Sequence, residues 1–253
     1  MRNSFEKMPS EELTSEEKFE LAKKRHPNQM SAKDKMVHGV SEAGPVQNWL
    51  EDRAEMMVER SGINEVIEEI DGDVMIVEVG GGKGHIGEET AEANPDKEIK
   101  TVGVDISDYA SGRISESGRV ESVFGRGENL PIKNESVEIA TAYFTFQELN
   151  DNQQKDVLEE MKRIIKENGR IVVTDELPQE ETSEGVVARA KNILRNIKMS
   201  KFNIHNDEEW RRFFEDNDLE VESSVIFGED KENKKEQFIS YVLKKAEETE
   251  SVE

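Results

Sequence analysis

Four glycines fall within residues 80–84 of this chain, behind Glu78 and ahead of His85 and Ile86. Glycines so spaced let the backbone wrap a ligand closely, and a helix that starts directly behind them aims unbonded N–H groups at it. The chemistry this serves is the binding of a cofactor or a phosphate. Gly82, Gly84 and Gly87 also fit the dinucleotide fingerprint, and Asp105 stands 18 residues after Gly87, near where that motif places a ribose-binding acid. A nicotinamide cofactor is therefore one reading of the loop. A P-loop is not, because Lys83 is followed by Gly84 and not by Ser or Thr.

A loop of this kind needs a strand before it and a helix after it. Residues 73–77 form a short apolar run rich in β-branched side chains, which predicts a buried strand, and residues 86–93 read as the first turns of a helix. The alternation continues: strands over 98–105, 119–124, 137–142 and 170–175, a weak helix over 107–117, and a helix over 151–166 closed by Glu167, Asn168 and Gly169. Such alternation implies right-handed crossovers and a parallel sheet covered on both faces. Residues 219–227 and 237–243 break the pattern as a hairpin at the sheet edge, joined by a polar turn over 228–236. Ahead of the loop, a capping-box pattern at Thr14 and Glu17 starts a helix running to about Arg25. Val46, Trp49, Leu50, Ala54, Met57 and Val58 recur at helical spacing over 41–61, and a second short helix covers 63–70. The expected organisation is an N-terminal extension over 1–40, one α/β domain over 41–244 with a helical insert near 180–206, and a frayed tail over 245–253.

Composition narrows the setting. The chain has 57 acidic and 34 basic residues, a net charge of −23, and no cysteine. Disulfides, thiolate metal sites and a Cys nucleophile are excluded. No run approaches the roughly 18 apolar residues that cross a bilayer, and the N-terminus lacks a signal-peptide core, so no membrane partner and a cytoplasmic location are expected. Its four histidines, His26, His38, His85 and His205, lack ligand spacing, so no metal site is expected. Against this acidity, residues 185–206 carry Arg189, Lys191, Arg195, Lys198 and Lys201 with no carboxylate between them. They form either a solvated helix face or an element that draws an anionic substrate, small or RNA, to the sheet edge.

Five parallel strands and a hairpin, a glycine loop after the first strand and an acid after the second resemble the class I S-adenosylmethionine-dependent methyltransferases, of the type that act on small molecules. The resemblance covers about residues 42–243. Residues 78–84 match the family's acidic-x-Gly-x-Gly-x-Gly loop, and 102–107 match its second motif. Residues 125–132, with 135–138, are similar to its loop before the fourth strand, and 166–175 to its turn into the fifth. The resemblance implies a doubly wound, mostly parallel seven-stranded sheet with an antiparallel C-terminal hairpin, a Rossmann-like methyltransferase fold, and S-adenosylmethionine as cofactor.

It also implies roles. The loop glycines, Gly80, Gly82 and Gly84, would wrap the methionine moiety, with Glu78 holding the loop or meeting the ammonium group through water. Asp105 would accept both ribose hydroxyls, a task suited to a carboxylate. Ile106 would lie on the adenine, with Arg126, Gly127 and Glu128 at its rim and Tyr143 bordering the methyl group. Two departures accompany this: Arg126 stands where the family often has an adenine-binding Asp, and Gln147 and Glu148 stand where many small-molecule members have a His pair. The implied reaction is in-line methyl transfer to a substrate nucleophile, with Glu148 and His205 as candidate bases and Tyr143 as a positioning group. Substrate walls would come from Met36, His38 and Trp49 and from Met199 and Phe202. The departures also leave a non-catalytic binding or partner module of the same fold as an alternative, beside a nicotinamide oxidoreductase.

Overall fold

A computed structural model describes residues 53–107, 113–178, 203–231 and 234–247. The helix expected within 1–40 and the substrate walls Met36, His38, Trp49, Met199 and Phe202 lie outside the described residues, as does most of the cationic run over 185–206.

Two short helices, α1 (Ala54–Arg60) and α2 (Ile63–Glu69), precede β1 (Val74–Val79). The chain continues through α3 (His85–Ala93), β2 (Ile99–Asp105), β3 (Arg113–Ile114), β4 (Val120–Phe124) and β5 (Val137–Tyr143). A 3-10 turn, Phe146–Glu148, leads into α4 (Asp151–Ile164), followed by β6 (Ile165–Glu176), α5 (Asp207–Glu215), β7 (Leu219–Lys231) and β8 (Lys234–Lys245). The sheet order is β3-β4-β2-β1-β5-β6-β8-β7. The strands β4, β2, β1, β5 and β6 run parallel, and β8 returns antiparallel between β6 and β7. The expected α/β sheet with its C-terminal hairpin is present: seven long strands, with a two-residue eighth at the edge.

Alternation along β1 explains the two cores. Val77 and Val79 face one layer, packed with Leu158 and Met161 of α4, Trp210 and Phe214 of α5, and Tyr241. Val74 and Ile76 face the other, packed with Met57 and Val58 of α1, Ile63 and Ile67 of α2, and Phe238. A strand covered on both faces must be apolar on both, which is why its sequence reads as a continuous run. Fully burying such a side chain contributes about 1.5–3 kcal/mol.

Four segments differ from their sequence reading. Residues 113–117 are not helical: Arg113 pairs with Ser122 and Ile114 with Glu121. The Ser115 and Ser117 hydroxyls then accept the amides of Val120 and Arg119, both at 3.0 Å, so serine side chains take bonds a helix would need. Helix α4 stops at Ile164, not Lys166, because Ile165 is already extended and pairs with Val137. Gly169 is therefore no helix cap. Residues 166–169 loop out opposite Glu138, and a Cβ on Gly169 would lie 2.9 Å from the Glu138 carbonyl oxygen. The hairpin turn is shorter than expected, since pairing continues to Lys231 and Lys234; a backbone ladder needs no apolar side chains to persist. Helix α5 was not expected. Its start was legible in a capping box, where Asn206 Oδ1 accepts the Glu209 amide at 3.0 Å and Glu209 Oε2 accepts the Asn206 amide at 2.8 Å.

Candidate active site

Strand order reverses between β1 and β5, and in open α/β sheets the crevice beyond the carboxyl ends at such a point receives the ligand. The glycine loop lies there. After Val79 the backbone takes left-handed conformations at Gly80 (φ 75°), Gly82 (φ 50°) and Gly84 (φ 81°), and Gly84 caps α3. The Gly80 amide donates to Val104 O at 2.8 Å, and the Gly84 amide closes the turn on Gly81 O at 2.7 Å. A Cβ on Gly81 would sit 3.1 Å from Gly103 Cα, whereas one on Gly82 would meet nothing within 4 Å. The loop is thus pressed onto β2 on one side and open at Gly82 on the other.

Asp105 and Thr145 fasten it. Asp105 Oδ2 accepts the Gly82 amide at 2.9 Å, and Oδ1 accepts the Ser107 amide at 2.7 Å. The Thr145 hydroxyl donates to Val79 O at 3.0 Å and stands only 2.1 Å from where a Gly80 Cβ would be. Glu78 lies buried under the loop, its Cδ 3.3 Å from the position of a Gly81 Cβ, with Oε2 lacking any hydrogen-bond partner. Burial above all, then the charge of Asp105, pushes its carboxyl up to about 8, against the pull of the Gly87 amide.

The remaining rim residues divide. Ile106 is half-buried at the end of β2. Gly127 packs where a Cβ would lie 2.8 Å from Val79 and 2.9 Å from Val157, so this rim position admits no side chain. Arg126 folds onto Glu128, with its Nη2 3.2 Å from Glu128 Oε1, and that same oxygen accepts Gln153 Nε2 at 2.9 Å.

At the far side of the crevice, Phe144 takes φ 56°, a strained conformation for a bulky residue, and swings the chain after β5 across the site. Glu148 follows. Its side chain is exposed to solvent at the end of the 3-10 turn, and its partial desolvation, then the charge of Asp105, push its carboxyl up to about 7. Asp105 thus acts on both Glu78 and Glu148, which brings the three carboxylates to one end of the sheet. Tyr143 and His205 have partners elsewhere. The Tyr143 hydroxyl lies 2.9 Å from Ser61 Oγ, and burial raises its pKa further. His205 Nε2 is 3.2 Å from Gln154 Oε1, and the ring stands edge-on to Trp210 at 4.6 Å.

One residue of this end, Asp175, was not singled out by sequence, and Gln147 was noted only as a departure from the family pattern. Asp175, one residue before the end of β6, is 2% exposed with neither carboxyl oxygen at hydrogen-bond geometry, and Gln147 Oε1 is likewise buried and unbonded. The available signal was positional, an acid ending the apolar run 171–174 at the carboxyl end of a buried parallel strand.

The group that the resemblance implies fits these residues. Each Asp105 oxygen holds one backbone donor and keeps lone pairs for a ribose hydroxyl, the open face of Gly82 admits close approach, and Glu78 keeps an unfilled acceptor beneath the loop.

Comparison with known proteins agrees. Residues 76–169 match a family model described as a methyltransferase domain. A search of curated proteins returns no significant match. Among solved structures, the mitomycin 7-O-methyltransferase MmcR superposes with a TM-score of 0.59 at 14% identity, covering 85% of this chain; the chain spans 61% of MmcR. A SAM-dependent methyltransferase from Aquifex aeolicus superposes at 0.54 and 17% identity, covering 83% of this chain and 97% of its own. A putative methyltransferase in complex with the Haloferax volcanii Trm112 activator superposes at 0.52 and 15% identity, covering 79% and 95%. No helix among the described residues is long and apolar enough to cross a membrane. The domain match covers residues 76–169, and the strand order and superpositions show a fold similar to that of S-adenosylmethionine-dependent methyltransferases.

Proposed function

We propose that the chain binds S-adenosylmethionine and catalyses transfer of its methyl group to a small-molecule acceptor. The observation that carries this reading is the Gly82 amide bonded to Asp105 inside a glycine cradle that is open at Gly82 itself. When bound, the cofactor supplies an electrophilic methyl on a positively charged sulfur, so the protein chiefly positions and desolvates the reactants. Asp105 holds the ribose hydroxyls through its remaining lone pairs, and residues 80–84 back the methionine moiety. Glu78 offers its free oxygen to the ammonium group. Ile106 covers the adenine, and Arg126, Gly127 and Glu128 form the rim, with the Arg126 charge already neutralised by Glu128.

Of the three candidate catalytic side chains, Glu148 is the one we assign as the base. Its carboxyl near 7 can take a proton at neutral pH. The Tyr143 hydroxyl is engaged by Ser61 and His205 Nε2 by Gln154, so both serve better to hold the chain around the site. No feature of the described residues favours RNA as the acceptor.

Isothermal titration calorimetry with S-adenosylmethionine and S-adenosylhomocysteine tests the reading. Micromolar binding of both is expected, lost by at least about tenfold in Asp105→Ala, which removes hydrogen bonds to a charged group worth roughly 1.5–3 kcal/mol each. No heat from either ligand with the unmodified protein would overturn it.

A further inference from the structure

Three buried acceptors at this end of the sheet meet no donor at full hydrogen-bond geometry. Both oxygens of Asp175 and Oε1 of Gln147 lack hydrogen-bond partners, in side chains 2% and 7% exposed. Native proteins leave few buried polar atoms unbonded, and here three fall together. Their proximity is set by the fold: Asp175, the penultimate residue of β6, lies beside the turn Phe146–Glu148, where the Gln147 backbone amide and the Glu148 charge act on it although the amide makes no geometric hydrogen bond. The neighbouring strand and turn are apolar, with Val173 and Phe146 fully buried, so a hydrophobic residue in place of Asp175 or Gln147 would carry no unfilled acceptor.

Burial above all, then the acidic charges of Glu176 and Glu148, holds the Asp175 carboxyl well above its ordinary range against the pull of the Gln147 amide, so a bound cation would draw it into its ionised form. Asp105 adds a third acid on the cleft side, since it acts on Glu148. An acceptor bearing a carboxylate or phosphate would set like charge against this wall. One bearing N–H donors, charged or neutral, would fill the open lone pairs and meet an attractive field.

We infer that the acceptor substrate is an amine, and that Asp175 and Gln147 receive its N–H groups behind a cleft mouth formed by Glu148. The inference rests on the methyltransferase reading and makes it more specific. It opposes the anionic acceptor suggested by the cationic run over 185–206. Asp175 and Gln147 are here specificity residues; neither is assigned the proton transfer.

A charge-matched pair of probes decides it. The protein is saturated with S-adenosylhomocysteine and titrated with phenethylamine and, separately, with phenylacetate, which share a ring and differ in the sign of the terminal charge. Phenethylamine is expected to bind at least about tenfold more tightly, and that preference to disappear in Asp175→Asn. Gln147→Leu provides the same readout should Asp175→Asn fail to fold, as judged by circular dichroism. S-adenosylhomocysteine affinity is expected to be unchanged in both variants. Equal or absent binding of the two probes, preference for phenylacetate, or an amine preference that survives in the folded variants would overturn the inference. Failure of the unmodified protein to bind S-adenosylhomocysteine would instead overturn the function it rests on.

Discussion

Glu148 and Glu78 are both carboxyls raised by desolvation, and they make opposite predictions because Glu148 is exposed to solvent and Glu78 lies buried under the loop. As a base, Glu148 must be ionised, so kcat/KM should rise with pH through about 7. In Glu148→Gln that limb should flatten and kcat fall by roughly 10²–10⁴; an unchanged limb would remove Glu148 from the mechanism. Glu78 is protonated in the folded state up to about 8 but only to about 4.5 when unfolded. The folded state therefore holds the extra proton between these values. Its contribution to stability is fully present below 4.5 and is lost as pH rises to 8, at about 1.4 kcal/mol per pH unit for one proton. Urea denaturation of the ligand-free protein from pH 5 to 8 should show this decline, and Glu78→Gln should lessen it. At this scale the sequence was readable where the chemistry is local. Gly80, Gly82, Gly84 and Asp105 announce themselves by type and spacing, since backbone approach and a strand-end acid are properties of consecutive residues. Asp175 did not, because its interest lies in being buried without a partner, which only the packing of β6 against the turn after β5 creates.

Elements hold the loop in place through contacts that single residues can break. Gly80→Ala combines a left-handed backbone at φ 75° with a Cβ 2.1 Å from Thr145 Oγ1. Strain of this kind costs on the order of 1–3 kcal/mol, and relief by moving Thr145 would release its bond to Val79. The variant should lose stability by that amount in chemical denaturation and bind S-adenosylhomocysteine more weakly; full retention of both would show that Thr145 does not clamp the loop. Strand and helix alternation was legible because β1, β2 and β5 are apolar on both faces and α4 carries its apolar stripe at helical spacing. The segment at 113–117 was not, since its serine hydroxyls bond locally to Arg119 and Val120 and so cancel a weak helical pattern. Helix α5 was legible in principle: Asn206 and Glu209 form its cap, with Trp210 and Phe214 on one face.

The whole molecule is governed by its charge of −23. Among the described residues, acids of α1 and α3 repel one another. Burial, then Glu92, Glu55 and Glu59, raises the Glu89 carboxyl above its ordinary value. Salt within a Debye length of these groups screens such repulsion, so Tm should rise between 0.1 and 2 M KCl. A flat or falling Tm would show that the acidity is not held at a cost in stability. Charge of this size was plain in the sequence, but the approach of Glu55 and Glu59 to Glu89 depends on how α1 docks. That docking has a further consequence, in the order of manufacture. Ser240 Oγ donates to Ser61 O across 179 residues, and Gly62 lies against Val242, so the corner between α1 and α2 is completed by the last strand. A growing chain presents its N-terminal part first. Met57 and Ile67 therefore cannot reach their final cover, which includes Phe238 and Val242, until β8 has been made. The nascent protein carries an open apolar corner until β8 emerges, an interval in which repulsion between like-charged chains opposes their association.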